Sequence, residues 1–308
     1  MEHLPVMLTD TVQQLAIKPN GIYLDCTFGR GGHSQSILNL LGPSGRLLAL
    51  DRDLDAINSD AARTLANDKR FKLVHSCFSA LGHCLNSEGL LGQVDGILMD
   101  LGVSSPQLDN PERGFSFLRD GPLDMRMNGN HGITAAQWLA EVDEKSLIKV
   151  LFEYGEERFA KRIAYAIVEK RQVSPIKTTR ELAKLIEEAV PIKEKHKHPA
   201  TRSFQAIRIY INNELDELQT ALQQSVNGLK SGGRLVVISF HSLEDRIVKR
   251  FIRAESGAKY NAGKLPIKEV DITKGSLKKI GKALKAGQFE ITQNARARSA
   301  IMRVAERV

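Results

Sequence analysis

Three apolar segments that each end on an aspartate constrain the fold of this chain more than any other feature. They are residues 21–27, 45–51 and 94–100, which carry Asp25, Asp51 and Asp100 at or near their ends. Helical patterns at 34–41 and 55–65, and a further strand pattern at 71–75, separate them. Strands that alternate with helices at this spacing predict a parallel sheet of right-handed β-α-β units. Such sheets bind ligands at the carboxyl ends of their strands, so we expect all three acids at one ligand-binding edge.

The distance to the next strand predicts an insertion. A fifth strand is expected at 233–240, preceded by one helix whose apolar residues recur at steps of three and four from Phe204 to Val226. More than 100 residues separate Asp100 from Arg234, whereas one β-α-β unit needs roughly 30. We therefore predict a doubly wound α/β domain made of 1–106 and 202–308, interrupted by a helical insert at 107–201.

The C-terminal part of the chain is basic. Residues 241–308 hold 16 Lys/Arg and 7 Asp/Glu, whereas the first 240 residues hold 28 and 29. A helix is expected at 243–252, a basic loop at 254–287 and a last strand at 299–305. A neutral body with a basic end is typical of a polyanion-binding protein, although a solvated basic surface has the same composition.

Composition and cysteine content bear on the cellular location. Residues 1–5 do not begin a secretory signal, and no apolar run approaches the roughly 18 residues that span a membrane. The three cysteines, Cys26, Cys77 and Cys84, lack metal-ligand spacing, which favours a reduced protein in the cytoplasm. No metal site is predicted: His196 and His198 have no accompanying cysteine or acid cluster.

A glycine-rich loop follows the first strand. Gly29, Gly31 and Gly32 let the backbone approach a ligand closely, but Ser34 stands where a dinucleotide-binding loop has its third glycine. Asp51 lies at the end of the second strand, where an acid accepts hydrogen bonds from both hydroxyls of a ribose. The loop thus favours a nucleotide- or nucleoside-binding site over an ordinary tight turn, and a nucleoside without phosphate fits it as well as a dinucleotide does. Phe78, just past the third strand, is placed either to contact an adenine or to fill the core.

Several stretches together resemble one family, the bacterial 16S ribosomal RNA cytosine-N4 methyltransferases. They are residues 25–33 (DCTFGRGGH), 100–109 (DLGVSSPQLD), 113–117, 121–127 (GPLDMRM), 198–202, 239–251 and 295–299. They occur in the family's order along nearly the whole chain. One departure is Cys26, where the family has a small residue such as glycine; it leaves the assignment unchanged.

The resemblance implies an α/β fold of the class I (Rossmann-like) methyltransferases with a helical insert, and S-adenosylmethionine as methyl donor. It implies cofactor contacts from seven residues: Gly31, Gly32, His33, Asp51, Phe78, Asp100 and Gln107. The implied substrate is a cytidine in the decoding centre of the small ribosomal subunit. The expected partners are 16S ribosomal RNA and that subunit, without a membrane, and homodimerisation is left open.

The reaction itself suggests catalytic candidates. Methylation of an exocyclic amine is an in-line displacement in which the protein mainly positions the amine and excludes water. Ser104 and Ser105 directly follow the fourth strand and are loosely similar to a motif of amino-methyltransferases, so we expect one of them to hold the amine; an ordinary strand-end turn is the alternative. Methylation at cytosine C5 would need a cysteine nucleophile, and none follows Pro106.

Other candidates and rival functions have less support. His241 is expected to cap a helix rather than touch substrate, and Trp138 to lie in the core of the insert. Arg202, Arg296 and Arg298 are candidates either for phosphate contacts or for surface ion pairs. A DNA amino-methyltransferase and a non-catalytic ribosome assembly factor are the alternative functions, and a nicotinamide-dependent oxidoreductase is disfavoured by Ser34.

Overall fold

The chain divides into two compact units in a computed structural model that describes residues 5–192, 198–257 and 275–308. The first unit comprises Met1–Gly102 and Leu215–Val308, and the second comprises Val103–Glu214. Both divisions differ from the expected domain bounds at 106/107 and 201/202. His196 and half of the expected 254–287 loop, residues 258–274, lie outside the described residues.

A seven-stranded sheet forms the first unit. Its strands are β1 (Ile22–Asp25), β2 (Arg46–Asp51), β3 (Phe71–His75), β4 (Val94–Asp100), β5 (Leu229–Ser239), β6 (Leu277–Lys285) and β7 (Ile301–Arg307). The spatial order is β3-β2-β1-β4-β5-β7-β6. The first five strands in this order are parallel, and β7 is antiparallel to both β5 and β6. The predicted parallel sheet is confirmed.

Helices cover both faces of this sheet, which is why its central strands are apolar on both sides. The helices of the first unit are α1 (Leu8–Leu15), α2 (Gly32–Leu40), α3 (Leu54–Ile57), α4 (Asp60–Leu65), α5 (Leu81–Ser87), α12 (Glu214–Gly228), α13 (Ser242–Ser256) and α14 (Gln288–Gln293). One core packs α1, α2 and α4 against the sheet, and a second packs α5, α12 and α13. Neighbouring residues of β1 serve opposite faces: Tyr23 lies in the first core and Leu24 in the second.

Several predicted elements needed correction. The single helix expected from Phe204 to Val226 is two helices, because Asn213 between them adopts a left-handed conformation with φ 52°. The helix expected at 55–65 is likewise interrupted, since Ser59 accepts a hydrogen bond from Ala62 N–H and starts α4. The expectation of a loop at 254–287 was wrong for Leu277–Lys285, which pairs with β7 as an edge strand.

Helices make up the second unit. They are α6 (Ser105–Asp109), α7 (Ala135–Glu141), α8 (Glu144–Gly155), α9 (Ala160–Val173), α10 (Thr179–Ala189) and α11 (Ala200–Asn212). A capping box opens α10, with Thr178 Oγ1 accepting from Glu181 N–H at 3.3 Å. Trp138 lies in the core of this unit, as predicted, with its ring 4.5 Å from that of Tyr210.

A buried amide holds the irregular segment that precedes α7. Asn212, at the end of α11, accepts a hydrogen bond from Met127 N–H at 2.7 Å and donates to the carbonyl of Met125 at 2.7 Å. Met125 needs this support, because its φ of 64° is unfavourable for a residue with a side chain. Asn212 thus fixes the conformation of the 121–127 motif.

We expect Asn212→Ala to lower the free energy of unfolding by about 3 kcal/mol, since it leaves a buried N–H group and a buried carbonyl without partners. Urea unfolding followed by circular dichroism measures this loss. Asn130→Ala is the matched control, because Asn130 is exposed in the same irregular segment and should change stability by less than about 0.5 kcal/mol. Equal stability of the two variants would contradict the proposed role of Asn212.

Candidate active site

Asp25, Asp51 and Asp100 end three strands that are neighbours in the sheet. β1 lies between β2 and β4, and Asp25 is in register with Ala49 on one side and Leu98 on the other. The three acids therefore share the carboxyl edge of the sheet, as the sequence predicts. Each of them has a different set of hydrogen bonds, and these bonds separate structural from ligand-facing roles.

Asp25 stabilises the glycine loop through hydrogen bonds to the residues on either side of it. Its carboxylate is fully buried and accepts hydrogen bonds from Ser34 Oγ at 2.7 Å and from Thr27 N–H at 3.1 Å. Burial raises the pKa of this carboxyl group, while nearby His33 and these hydrogen bonds act in the opposite direction. Ser34 stands where a dinucleotide-binding loop has glycine, and its hydroxyl group holds the Asp25 carboxylate in place.

The glycine loop adopts a backbone that requires glycine. Gly29 and Gly31 have φ values of 55° and 74°, in the left-handed region. A Cβ at Gly31 would lie 2.8 Å from the ring of Phe28, so a side chain there would displace the loop. Gly29 N–H donates to Asp51 Oδ2 at 2.7 Å, which ties the loop to the end of β2. The glycines thus fix the loop in a conformation in which it lies against the end of β2.

Asp51 is a half-buried hydrogen-bond acceptor whose carboxylate can accept further hydrogen bonds. Besides Gly29 N–H, it accepts from Asp53 N–H at 2.8 Å through its other oxygen. Each carboxylate oxygen has a second lone pair, so both remain able to accept from the hydroxyls of a ribose. Burial raises the pKa of Asp51 to about 6, against the opposing effect of the two backbone hydrogen bonds.

We expect the affinity for a ribose-containing cofactor to fall as pH decreases through 6. The ionised carboxylate of Asp51 accepts hydrogen bonds from the ribose hydroxyls. Below its pKa of about 6 the carboxyl group must first lose its proton, so Kd rises roughly tenfold for each pH unit of decrease. Calorimetric titrations with S-adenosylmethionine between pH 4.5 and 7.5 measure this dependence. The same slope in Asp51→Asn would assign the titration to another group.

Asp100 is the acid of this edge whose hydrogen-bonding capacity is least used by the protein itself. Its backbone N–H donates to Thr27 Oγ1 at 2.8 Å, and its Oδ2 lies 3.6 Å from His33 Nδ1. Oδ1 is buried and has no hydrogen-bond partner among the described residues. Burial, followed by repulsion from Asp25 and Glu244, raises the pKa of Asp100 well above its ordinary range. A positively charged or hydrogen-bond-donating ligand would relieve this carboxylate.

The remaining candidates of the first unit also lie at this edge. His33 is buried at the start of α2, where Nε2 lies 3.2 Å from the carbonyl of Val6 and burial lowers its pKa. Gly32 is next to Pro5, whose Cγ is 2.2 Å from the position of an added Cβ. Phe78 is half-buried at the start of the turn after β3 and packs partly against the second core. His241 caps α13, as predicted.

Three of the predicted site residues belong to the second unit. Ser104 precedes α6, Ser105 is its first residue, and Gln107 is buried one position after Pro106. Gln107 Oε1 accepts from Ser104 N–H at 2.8 Å, so the side chain helps to form the helix start. The helix-start geometry agrees with the alternative of a turn for Ser104, and the contacts of these residues with a ligand stay predictions.

Sequence reasoning missed two supporting residues of the edge. Thr27 links the glycine loop to β4 through Asp100, and Asp53 both donates its N–H to Asp51 and starts α3 by accepting from Asp55 N–H at 3.0 Å. Asp53 two residues after Asp51 is a signal for a helix cap, which could have been read from the sequence. The Thr27 contact has no such signal, because its partner is 73 positions away.

The fold and the site define a class of enzyme. The class I methyltransferases have this strand order, β3-β2-β1-β4-β5-β7-β6 with an antiparallel β7. They also have acids at the carboxyl ends of the strands beside a glycine-rich loop. The model of the MraW methylase family matches residues 1–308. The chain belongs to this family.

Named relatives match along nearly their entire lengths. A protein of Pseudoalteromonas atlantica is 58% identical over 99% of this chain and 98% of its own. One of Methylococcus capsulatus is 58% identical over 98% and 99%, and one of Alteromonas mediterranea is 55% identical over 100% and 98%. Each of the three is named ribosomal RNA small subunit methyltransferase H.

The methyl donor of this protein is S-adenosylmethionine, and the described residues fit it. Asp51 offers acceptors for ribose hydroxyls, and Asp100 presents an unpartnered buried oxygen to a cationic group. No helix among the described residues is long and apolar enough to cross a membrane.

Proposed function

We propose that the protein transfers a methyl group from S-adenosylmethionine to N4 of a cytidine in the decoding centre of 16S ribosomal RNA. The observation that carries the proposal is the 54–58% identity, along nearly the full length, to proteins named for small-subunit ribosomal RNA methylation. The basic C-terminal quarter, with 16 Lys/Arg against 7 Asp/Glu, suits an RNA partner. An RNA substrate and the cysteine content agree with a cytoplasmic location.

Cysteine chemistry supports nitrogen rather than carbon C5 as the acceptor. Methylation at C5 requires a thiolate that adds to the ring. Burial raises the pKa of Cys26 well above its ordinary value, and burial also raises the pKa of Cys77. Cys84 is buried as well. The environments of Cys26 and Cys77 favour thiols rather than a reactive thiolate, so an exocyclic amine is the better acceptor.

The proposed role of the chain is to position the two reactants. The cofactor supplies a methyl group already activated on a sulfonium, so no strong base is required. Asp51 and Asp100 hold the ribose and the cationic end, and Gly31, Gly32, His33, Phe78 and Gln107 complete the cofactor contacts. Ser104 or Ser105, with nearby carbonyl groups, accepts an N–H hydrogen bond from the cytosine amine, which helps its nitrogen become pyramidal as it attacks.

The proposal is tested by offering three acceptors to the purified protein with radiolabelled S-adenosylmethionine. They are small ribosomal subunits from a strain that lacks this enzyme, protein-free 16S ribosomal RNA, and duplex DNA. We expect label in at least one of the two ribosomal acceptors and none in DNA. Label in DNA alone would favour an amino-methyltransferase of DNA. Cofactor binding without transfer to any acceptor would favour an assembly factor.

We expect Ser104→Ala or Ser105→Ala to slow the single-turnover methyl transfer by roughly 10- to 100-fold, because one acceptor on the amine is lost. Cofactor affinity should stay within about twofold of the original, which separates this effect from damage to the cofactor site. Quenched-flow transfer to small ribosomal subunits provides the rate. Undiminished rates in both variants would remove the serines from the proposed machinery and leave them as residues of the α6 start.

A further inference from the structure

A basic groove lies in the first unit, away from the carboxyl edge of the sheet. It has a volume of about 370 Å³ and runs between α13 and the strands β6 and β7. Five cationic side chains line it: Lys249, Arg253, Lys279, Lys282 and Arg303. No acidic side chain lines it among the residues that the structure describes.

The cations of the groove differ in whether they are neutralised. Arg303 is paired with Asp245, with N–O distances of 2.7 and 2.9 Å. The one acid of β7, Glu306, is 3.0 Å from Arg234. By contrast, Lys249, Arg253, Lys279 and Lys282 are exposed and form no ion pair within the described part of the chain. Four uncompensated positive charges therefore face one concave surface.

The floor of the groove is apolar. Ile252 of α13, Ile280 of β6 and Val304 of β7 line it between the cations. A surface for simple counter-ions needs no such floor, whereas a nucleic-acid strand presents anionic phosphates together with apolar faces of sugars and bases. The combination matches a strand of RNA better than a small anion.

The location suits a segment that flanks a bound target base. β6 is three strands from β4 in the sheet, which corresponds to about 14 Å at the usual strand spacing. Lys279 is in register, through Ala305 and Leu235, with Ile97, which lies about 10 Å along β4 from Asp100. One strand of a stacked nucleic acid carries a phosphate about every 3.4 Å of its length. A strand with its target base at the carboxyl edge would therefore reach the groove, about 17 Å away, roughly five nucleotides along.

We propose that the groove between α13 and β6–β7 binds the phosphate backbone of the RNA substrate several nucleotides away from the methylated one. The inference rests on the proposed function, because it takes RNA as the substrate. It assigns RNA affinity to Lys249, Arg253, Lys279 and Lys282, which do not belong to the cofactor site. It therefore separates residues that hold the RNA from residues that carry out the transfer.

The test uses two charge-removing pairs on the full chain, Lys279→Gln with Lys282→Gln on β6, and Lys249→Gln with Arg253→Gln on α13. The control pair is Arg46→Gln with Lys69→Gln, which removes the same charge from exposed positions of the same unit outside the groove. Filter binding of the unmodified small-subunit RNA at several salt concentrations gives Kd and its salt dependence. Calorimetry with S-adenosylmethionine checks the cofactor site of every variant.

We expect each groove pair to weaken RNA binding about tenfold near 0.15 M salt and to reduce the slope of log Kd against log salt by about 2. The control pair should stay within about twofold, and cofactor affinity should be unchanged in all variants. RNA affinities of both groove pairs equal to that of the control would overturn the inference while leaving the proposed function intact. If the unaltered protein neither binds nor methylates RNA, the proposed function fails first.

Discussion

Asp51→Asn is expected to weaken the binding of S-adenosylmethionine by on the order of 100-fold. An amide removes the charge that strengthens the ribose hydrogen bonds, a loss of about 3 kcal/mol for two charge-assisted bonds. It also places an N–H₂ group against either Gly29 N–H or Asp53 N–H, both of which need an acceptor. The glycine loop would therefore lose its link to β2 as well. Isothermal titration calorimetry at pH 7.5 measures the change.

Asp60→Asn is the matched control, since Asp60 is an acid of the same unit and its side chain is 99% exposed. Its cofactor affinity should remain within about twofold of the original. If Asp51→Asn binds the cofactor as tightly as Asp60→Asn does, Asp51 does not hold the ribose, and the assignment of the carboxyl edge as the cofactor site loses its main support.

Asp100→Asn is expected to weaken cofactor binding and to stabilise the ligand-free protein at the same time. The buried carboxyl has an unpartnered oxygen, and its pKa lies well above that of an unfolded aspartate. The folded state therefore binds more protons, so stability falls as pH rises from about 4 through the folded pKa. An uncharged amide removes this cost. We expect Tm at pH 8 to rise by about 3–6 °C, and cofactor affinity to fall by roughly 100-fold.

Asp95→Asn provides a control with the opposite sign, at the other end of the same strand. Burial alone would raise the pKa of Asp95, but hydrogen bonds from Lys230 at 2.6 Å, Ile22 N–H and Lys18 lower it. This carboxylate contributes stability above its ordinary pKa, and that contribution is lost as pH falls. Asp95→Asn should lower Tm and leave cofactor affinity unchanged. A lower Tm in Asp100→Asn as well would mean that Asp100 has a structural role.

The carboxyl edge was predictable because it depends on local patterns. Asp25, Asp51 and Asp100 each follow a short apolar run, and parallel strands bring their carboxyl ends together whatever the details of packing. Their individual roles were not predictable. Ser34 Oγ satisfies Asp25, whereas one oxygen of Asp100 stays without a partner, and only the three-dimensional arrangement distinguishes the two.

Elements that depend on distant partners escaped prediction for physical reasons. The apolar spacing from Phe204 to Val226 continues through Asn213, so periodicity cannot reveal the left-handed residue that divides the helix. Leu277–Lys285 is an edge strand with four exposed lysines, and its sequence therefore has the composition of a loop. The hydrogen bond from Met127 N–H to the Asn212 side chain joins residues 85 positions apart, so no local pattern indicates it.

The most direct test of the central claim is to identify the methylated nucleoside. Small ribosomal subunits from a strain lacking this enzyme are incubated with the protein and labelled S-adenosylmethionine, and the RNA is digested and analysed by nucleoside mass spectrometry. We expect label in N4-methylcytidine, with a rate of methyl transfer that is strongly reduced in Asp51→Asn and unchanged in Asp60→Asn. Label in 5-methylcytidine or in any other nucleoside would contradict it.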